Sequence, residues 1–185
     1  MKKIVITGFL GFLGSLQAQV IIGDGVGTAP AASKGSVLLE FAAGQNKGII
    51  VPYVRTLPAS PAPGTILLDA STPTNARMKY YNGNTVTGTG GYVDLSGQSA
   101  DLTNTLAVQP TGIAESGKTT IGTQSAADGV LVLESAAKAM VLPIVEDVQK
   151  IVSPSPGMLV YVNKTGAKRL AVYNGAKWSF WQPAN

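Results

Sequence analysis

The sequence predicts a mainly β protein, in which two repeated small modules of short antiparallel strands and β-meanders are joined by a polar linker. Three observations support this fold class. The chain contains 22 glycines and 11 prolines but only 13% charged residues, a composition typical of short elements separated by turns. Short apolar runs rich in valine, isoleucine and leucine lie between those turns. The same series of motifs also occurs twice.

The duplication sets the expected domain organisation. The segment GSVLLEFAAGQNKGIIVP at 35–52 corresponds to DGVLVLESAAKAMVLP at 128–143, SPAPGTILLD at 60–69 to SPSPGMLVYV at 153–162, and RMKYYNG at 77–83 to RLAVYNG at 169–175. The offset between the copies stays between 91 and 95 residues. We therefore predict a β-rich unit over 20–95, a linker over 96–118 and a second β-rich unit over 119–185.

Each unit is expected to contain the same strands in the same order. The predicted strands are 36–41, 49–51, 65–69, 78–81 and a poorer strand after Gly83 in the first unit, and 130–133, 140–142, 158–162, 169–173 and 177–181 in the second. Asn82-Gly83 and Asn174-Gly175 predict tight type I′ hairpin turns, because both central positions of such turns need a positive φ. A short helix is predicted over 144–152, since Pro143 precedes it, acidic residues begin it and Lys150 follows near its end.

The first 18 residues have the features of a cleaved signal peptide. Lys2 and Lys3 precede an apolar stretch over 4–16 that is too short to span a membrane, and cleavage is expected after Ala18. The mature chain then carries a net charge of +2 instead of +4 and has no membrane-spanning segment. We expect it at the cell surface, associated with the outer membrane, or secreted, with the periplasm as an alternative.

Composition also excludes several kinds of chemistry. The chain has no cysteine and no histidine, which removes disulfides, Cys/His zinc sites, thiol nucleophiles and histidine-dependent triads. Its basic residues are scattered, whereas a nucleic-acid interface needs a stripe or a patch. Glu40 and Glu134 occupy equivalent positions of the two copies, which indicates a structural role such as an outward residue that ends a strand. We predict no enzyme activity, no cofactor and no metal site.

One motif matches a nucleotide-binding loop, but the sequence on either side of it does not have the strand and helix that such a loop needs. Residues 112–119 fit the phosphate-loop pattern G-x-x-x-x-G-K-[ST]. Such a loop needs a buried strand before it and a helix after it, because the helix N-terminus supplies the amides that hold phosphate. Pro110 interrupts the segment before the motif, and no helical period follows it. The match is therefore interpreted as coincidental.

The repeated motifs are similar to those of a known group of proteins. VLLE at 37–40, Lys47-Gly48, P-x-P-G at 61–64 and 154–157, and YNG at 81–83 and 173–175 resemble a repeat that is abundant in exported, tail-fibre-like surface proteins of Bacteroidetes. Typical units carry GFLPPRM after the KG, whereas only Pro52 and Pro143 remain here. The resemblance implies a β-rich protein of the envelope or exterior, in some cases beside trimeric fibre segments, and no catalytic residues.

These observations predict a non-catalytic structural or interaction protein of the bacterial cell envelope or surface. Open edges of small sheets favour self-association, as a homo-oligomer such as a trimer, or docking on an envelope protein. The alternative is a carbohydrate-binding or adhesion module in which exposed aromatic side chains stack on a glycan. The candidate interaction residues are Tyr80, Tyr81, Tyr173, Trp178, Phe180 and Trp181, with Trp178 and Phe180 on one face of their strand and Trp181 on the other.

Overall fold

A computed structural model describes residues 19–23, 26–84, 90–109, 117–123, 126 and 129–181. The predicted signal peptide and most of the phosphate-loop match lie outside these residues. The described chain is mainly β, as predicted. The first copy contains β1 (Val20–Ile22), a 3-10 helix (Ala31–Ser36), β2 (Val37–Phe41), β3 (Ile49–Ile50), β4 (Tyr53–Val54), β5 (Ile66–Asp69), a 3-10 turn (Pro73–Asn75), β6 (Arg77–Tyr81) and β7 (Tyr92–Asp94).

A short helix, α1 (Thr103–Ala107), separates the two copies along the chain. The second copy contains β8 (Thr119–Gly122), β9 (Leu131–Glu134), β10 (Ala139–Met140), β11 (Ile144–Val145), a 3-10 turn (Val148–Lys150), β12 (Met158–Val162), β13 (Arg169–Tyr173) and β14 (Trp178–Trp181). The strands of the two copies therefore follow one another in the same order.

The two copies also pair their strands in the same directions. In the sheet β4-β5-β6-β7 the first pair is parallel and the next two pairs are antiparallel. The same holds for β11-β12-β13-β14. The registers match as well, since Tyr53 lies opposite Leu68 in one sheet and Ile144 opposite Tyr161 in the other. The sequence duplication is thus also a duplication of topology.

Each copy contributes one two-residue strand to a sheet of the other copy. β3 of the first copy pairs antiparallel with β12 of the second, which makes a five-stranded sheet. β10 of the second copy pairs parallel with β2, which makes the three-stranded sheet β1-β2-β10. β8 and β9 form a two-stranded parallel sheet.

One hydrophobic core is shared by the two larger sheets. Leu68 and Met78 of the first copy pack with Leu159 and Val172 of the second. A second cluster lies on the opposite face of β12, where Val160 packs among Val145, Ile151 and Ala171. Each fully buried side chain of this size stabilises the fold by about 1.5–3 kcal/mol relative to exposure, so both faces of the five-stranded sheet contribute to stability.

Part of the predicted linker packs against this shared core. Leu102 and Leu106 are 1% and 2% exposed and belong to the same cluster as Leu68. The guanidinium of Arg55 donates to the carbonyl oxygen of Leu106 and to Gln109 Oε1 at 3.1 Å. Residues 96–109 therefore bind to the first copy through both apolar and polar contacts.

The helix predicted over 144–152 is wrong. Residues Ile144–Val145 form β11, and only Val148–Lys150 make a single 3-10 turn. Tyr161 N donates to Pro143 O and Asn163 N to Val145 O, so the backbone is fixed by β12. Asp147 accepts from Gln149 N and caps the turn. Pairing with a buried strand outweighs the weak helical pattern of a short segment.

The hairpin β13–β14 forms as predicted, but its turn is not the predicted type I′. Tyr173 lies opposite Trp178, so the loop has four residues, 174–177. Gly175 has φ +108°, whereas Asn174 is not among the described residues with a positive φ. Asn174 instead uses its side chain, which accepts from Ala176 N and Lys177 N. The turn is thus built by side-chain hydrogen bonds.

Candidate functional site

The junction between β3 and β12 is a backbone contact between the two copies. Ile49 lies opposite Leu159 and Ile50 opposite Met158, and Val51 N donates to Gly157 O at 3.1 Å. Gly48 precedes this pairing. A Cβ atom on Gly48 would lie 2.4 Å from Met158 Cγ and 2.7 Å from Val160 Cγ1. Only glycine lets β3 approach β12 without displacing these buried side chains.

A side-chain hydrogen bond fixes the same junction. The hydroxyl of Tyr53, in β4, donates to the carbonyl oxygen of Pro156 at 2.6 Å. Burial raises the pKa of the Tyr53 hydroxyl, so the donor stays protonated across the physiological range. The equivalent residue of the second copy is Ile144, which has no hydroxyl. This contact therefore belongs to the joint between the copies and not to the repeated unit.

A second joint connects the C-terminal hairpin to the segment after β7. Trp181 Nε1 donates to Leu95 O at 2.6 Å, and Ser179 Oγ donates to Ser96 O. Asn174 Nδ2 donates to Gln98 O at 2.7 Å. Asn174 is completely buried, and its side chain makes three hydrogen bonds, this one and those from the two backbone amides of its own turn. Sequence reasoning missed this role because Asn-Gly pairs were interpreted as conformational signals only.

The six predicted interaction residues do not form one surface. Tyr80 packs at the margin of the shared core. The Tyr81 ring lies 5.1 Å from the Tyr92 ring. Tyr173 and Trp178 have ring centroids 5.2 Å apart and pack against the second cluster. These four side chains are partly buried structural contacts.

Phe180 and Trp181 are the most exposed of the six, at 41% and 44%. Both already have partners. The guanidinium of Arg169 lies 4.1 Å from the centroid of the Phe180 ring, a cation–π contact, and the Trp181 indole donates to Leu95. A surface depression is lined by Leu95, Ser96, Gly97 and 178–181. Whether these residues bind a ligand stays a prediction.

The position of Arg169 has a counterpart in the first copy. Arg77 is the equivalent residue there, and it forms an ion pair with Asp94 at 2.5 Å. Asp94 occupies the position that Phe180 has in the second copy. Burial raises the pKa of Asp94, but hydrogen bonds from Arg77, Ser96 and Gly97 outweigh it and hold this pKa below its usual value. One repeated arginine thus makes an ion pair in one copy and a cation–π contact in the other.

The sequence suggested that Glu40 points outward from the end of its strand, and this prediction is wrong. It is completely buried, and its carboxylate accepts from Lys34 Nζ and Ala29 N, each at 2.8 Å, and from Gln19 Nε2. Burial raises the pKa of Glu40, but the bonds and the positive charge of Lys34 outweigh it and hold the pKa below its ordinary value. The carboxylate therefore ties the segment before β2 to that strand, a structural role.

The described part of the chain offers no group of three or more acidic, cysteine or histidine residues placed to hold a metal ion. No helix within it is long and apolar enough to cross a membrane. Two further charged pairs, Lys79 with Asp69 at 2.7 Å and Lys164 with Asp147 at 2.8 Å, connect neighbouring elements.

Comparison with known protein families matches part of the chain. A family described as "Phage tail like trimerisation region" matches residues 120–184, which is about a third of the chain and includes β9 to β14. The similarity supports a tail-fibre-like character for this part of the chain, and the matched family is a structural trimerisation region, not a family of enzymes. Searches of curated proteins and of solved structures gave no match.

Proposed function

We propose that this protein is a non-catalytic structural component of the bacterial cell envelope or surface that works as a homotrimer. The observation that carries the proposal is the similarity of residues 120–184 to a trimerisation region. That region contains four strands of the five-stranded sheet, and the fifth strand, β3, comes from outside it. The second copy alone is therefore incomplete, and strand exchange already joins it to another unit.

Export belongs to the same proposal. The charged and apolar pattern of residues 1–18 and the absence of cysteine from the chain favour a cleaved signal and a protein stabilised by burial and assembly. In that setting the chain would stand on the cell surface, be attached to the outer membrane or be released. Docking on an envelope protein is a further role that the open sheet edges would allow.

A glycan-binding role is the second candidate, supported by the exposure of Phe180 and Trp181. The Arg169 guanidinium covers one face of the Phe180 ring and weighs against stacking there, whereas the hydrogen bond from the Trp181 indole to Leu95 O lies in the ring plane and leaves the faces of Trp181 to be tested. A glycan array probed with the chain, beside a Trp181→Ala variant of equal stability, separates the candidates. Binding that is lost with this substitution would favour adhesion.

The solution mass of the mature chain, residues 19–185, tests the main proposal. Light scattering during gel filtration should give three times the mass of one chain. A monomer at all accessible concentrations would overturn trimerisation. Mass spectrometry of the protein exported by a bacterial host should place the new N-terminus at Gln19, and retention of residues 1–18 would contradict export with cleavage.

A further inference from the structure

One edge of β5 is open at a position where the equivalent edge of β12 is covered. Along β12, β11 pairs with Tyr161 and Val162, and β3 pairs with Met158 and Leu159. Along β5, β4 takes the place of β11 and pairs with Leu68 and Asp69. No described strand lies beside residues 65–66, the equivalents of 158–159.

The turn at Gly64 precedes β5, and the equivalent turn at Gly157 precedes β12. Neighbouring residues pack against the glycine of the second turn but not against that of the first. Gly64 and Gly157 have similar φ values of +92° and +76°. A Cβ atom on Gly157 would lie 3.1 Å from Tyr53 Cε1 and 3.2 Å from Val51 O, whereas a Cβ atom on Gly64 would meet nothing within 4 Å. The difference is therefore a missing neighbour and not a different backbone.

The backbone of this edge is oriented to accept a strand. Leu68 N donates to Pro52 O and Ala70 N to Val54 O, so these amides point to the β4 side. Because backbone groups alternate in direction along a strand, the N–H and C=O of Ile66 point to the same side. An edge of this kind is a template for another chain.

The strand that matches this edge is β10. In the repeat alignment Met140 and Leu142 are the equivalents of Ile49 and Val51, the two residues whose backbones face β12. β10 pairs with β2 through its other side, since Val141 N donates to Leu39 O at 2.8 Å. The side of β10 that carries Met140 and Leu142 is thus the equivalent of the side that β3 uses.

The side chains of this pairing change in size on both sides. At the β3–β12 junction Gly48 lies against Met158. In the equivalent pairing of β10 with β5, Ala139 replaces Gly48 and the shorter Thr65 replaces Met158. The added methyl group of Ala139 therefore comes with a smaller side chain at position 65, while Val160, the other side chain near Gly48, is replaced by Leu67.

From these relationships we infer that β10 of one chain adds to the open edge of β5 in a second, identical chain. The strands run antiparallel, with Val141 opposite Thr65 and the Leu142 amide donating to Gly64 O. The contact joins two different surfaces, so it is heterologous and closes into a ring when the rotation is threefold. The inference deepens the proposed self-association and rests on it.

The remaining edges support the same arrangement. β9 is the equivalent of β2, but Leu131 is 46% exposed where Val37 is 2% exposed, and no described strand lies beside β9 on the side where β10 covers β2. No described strand lies on the side of β3 that faces away from β12, and Ile50 is 50% exposed. β3 of one chain can thus cover β9 of the next, as β10 covers β2 within the chain.

Engineered disulfides test the inference, because the natural chain has no cysteine. Thr65→Cys and Val141→Cys are placed in separate chains with tags of different size, which are unfolded, mixed and refolded together. Opposed residues of a non-hydrogen-bonded antiparallel pair have Cα atoms about 4.5 Å apart, within the range of a disulfide. We expect a disulfide-linked heterodimer on oxidation, and at least a tenfold lower yield when Val152→Cys, at an 89% exposed residue, replaces Val141→Cys.

A pair of cysteines within one chain, at the equivalent β3–β12 junction, is the positive control for disulfide formation. Ile50→Cys with Met158→Cys in one chain should give an internal disulfide and no linked dimer. A trimeric mass without the link between positions 65 and 141 would overturn the strand-addition inference and leave self-association standing. A monomeric mass without the link would overturn both, and equal yields with Val152→Cys would show random collision and overturn the inference alone.

Discussion

The hydroxyl of Tyr53 and the carbonyl oxygen of Pro156, 103 residues apart in sequence, form a 2.6 Å hydrogen bond. The bond joins β4 of the first copy to the turn that precedes β12 of the second. Beside it, β3 completes the sheet of the second copy. The joint between the copies is therefore specified by residues that differ between the repeats, since Ile144 replaces Tyr53 in the second copy.

Tyr53→Phe tests the contribution of this bond. The ring keeps its packing while the Pro156 carbonyl loses its donor, so we expect the free energy of unfolding to fall by about 1 kcal/mol. Urea denaturation measures the change. Tyr161→Phe is the matched control, because the Tyr161 hydroxyl has no partner among the described residues, and it should change stability by less than about 0.5 kcal/mol. Equal effects of both substitutions would contradict the role of the bond.

Gly48→Ala tests the close approach of β3 to β12. The new methyl group would overlap Met158 and Val160, so β3 must shift, at a cost of about 1–3 kcal/mol. Gly35→Ala is the control, because a Cβ atom there meets nothing within 4 Å and its φ is not positive. Thermal unfolding of both variants gives the comparison. An unchanged melting temperature for Gly48→Ala would show that the junction is looser than described.

Asn174→Asp tests the buried turn of the C-terminal hairpin. Aspartate keeps the acceptor for Ala176 N and Lys177 N but loses the donor to Gln98 O, and a buried negative charge then faces a carbonyl oxygen. We expect a loss of about 2–3 kcal/mol in the free energy of unfolding at neutral pH. Asn82→Asp, at the exposed equivalent position, should be close to neutral. The experiment contradicts the assignment if the two variants unfold alike.

The Glu40 cluster predicts a loss of stability in acid. The pKa of Glu40 is lowered from its ordinary value of 4.5, so the unfolded state binds the proton more readily than the folded state. The stabilisation is complete above about pH 5.5, begins to fall near 4.5 and is lost as the pH drops through the folded pKa. Melting temperatures between pH 7 and pH 3 should show this decline for the natural chain.

Glu40→Gln should flatten that decline and lower stability at pH 7, because glutamine cannot pair with Lys34 or accept equally from Ala29 N. Glu134→Gln, at the equivalent position of the second copy, is the matched control for the removal of one carboxylate. If the natural chain and Glu40→Gln lose melting temperature in parallel from pH 5 to pH 3, the decline comes from other carboxylates such as Asp69 and Asp94.

The arrangement of the candidate site was only partly visible in the sequence. Predicted strands at 65–69, 158–162 and 169–173 coincide closely with β5, β12 and β13, and the pairing of β13 with β14 was expected from their turn. The burial of Glu40 and Asn174 was not predicted. Each makes hydrogen bonds to residues outside its own turn or strand, and sequence spacing does not report such partners.

The sequence by itself determined the duplication, the mainly β fold class and the order of the principal strands, because apolar alternation and turn residues act over a few positions. Only the tertiary structure decided that β3 leaves its own copy for β12, that β10 joins β2, and that residues 144–145 extend along a strand in place of a helix. These choices depend on backbone hydrogen bonds and apolar contacts between segments about 17 to 110 residues apart. Local propensities within two-residue strands are too weak to fix them.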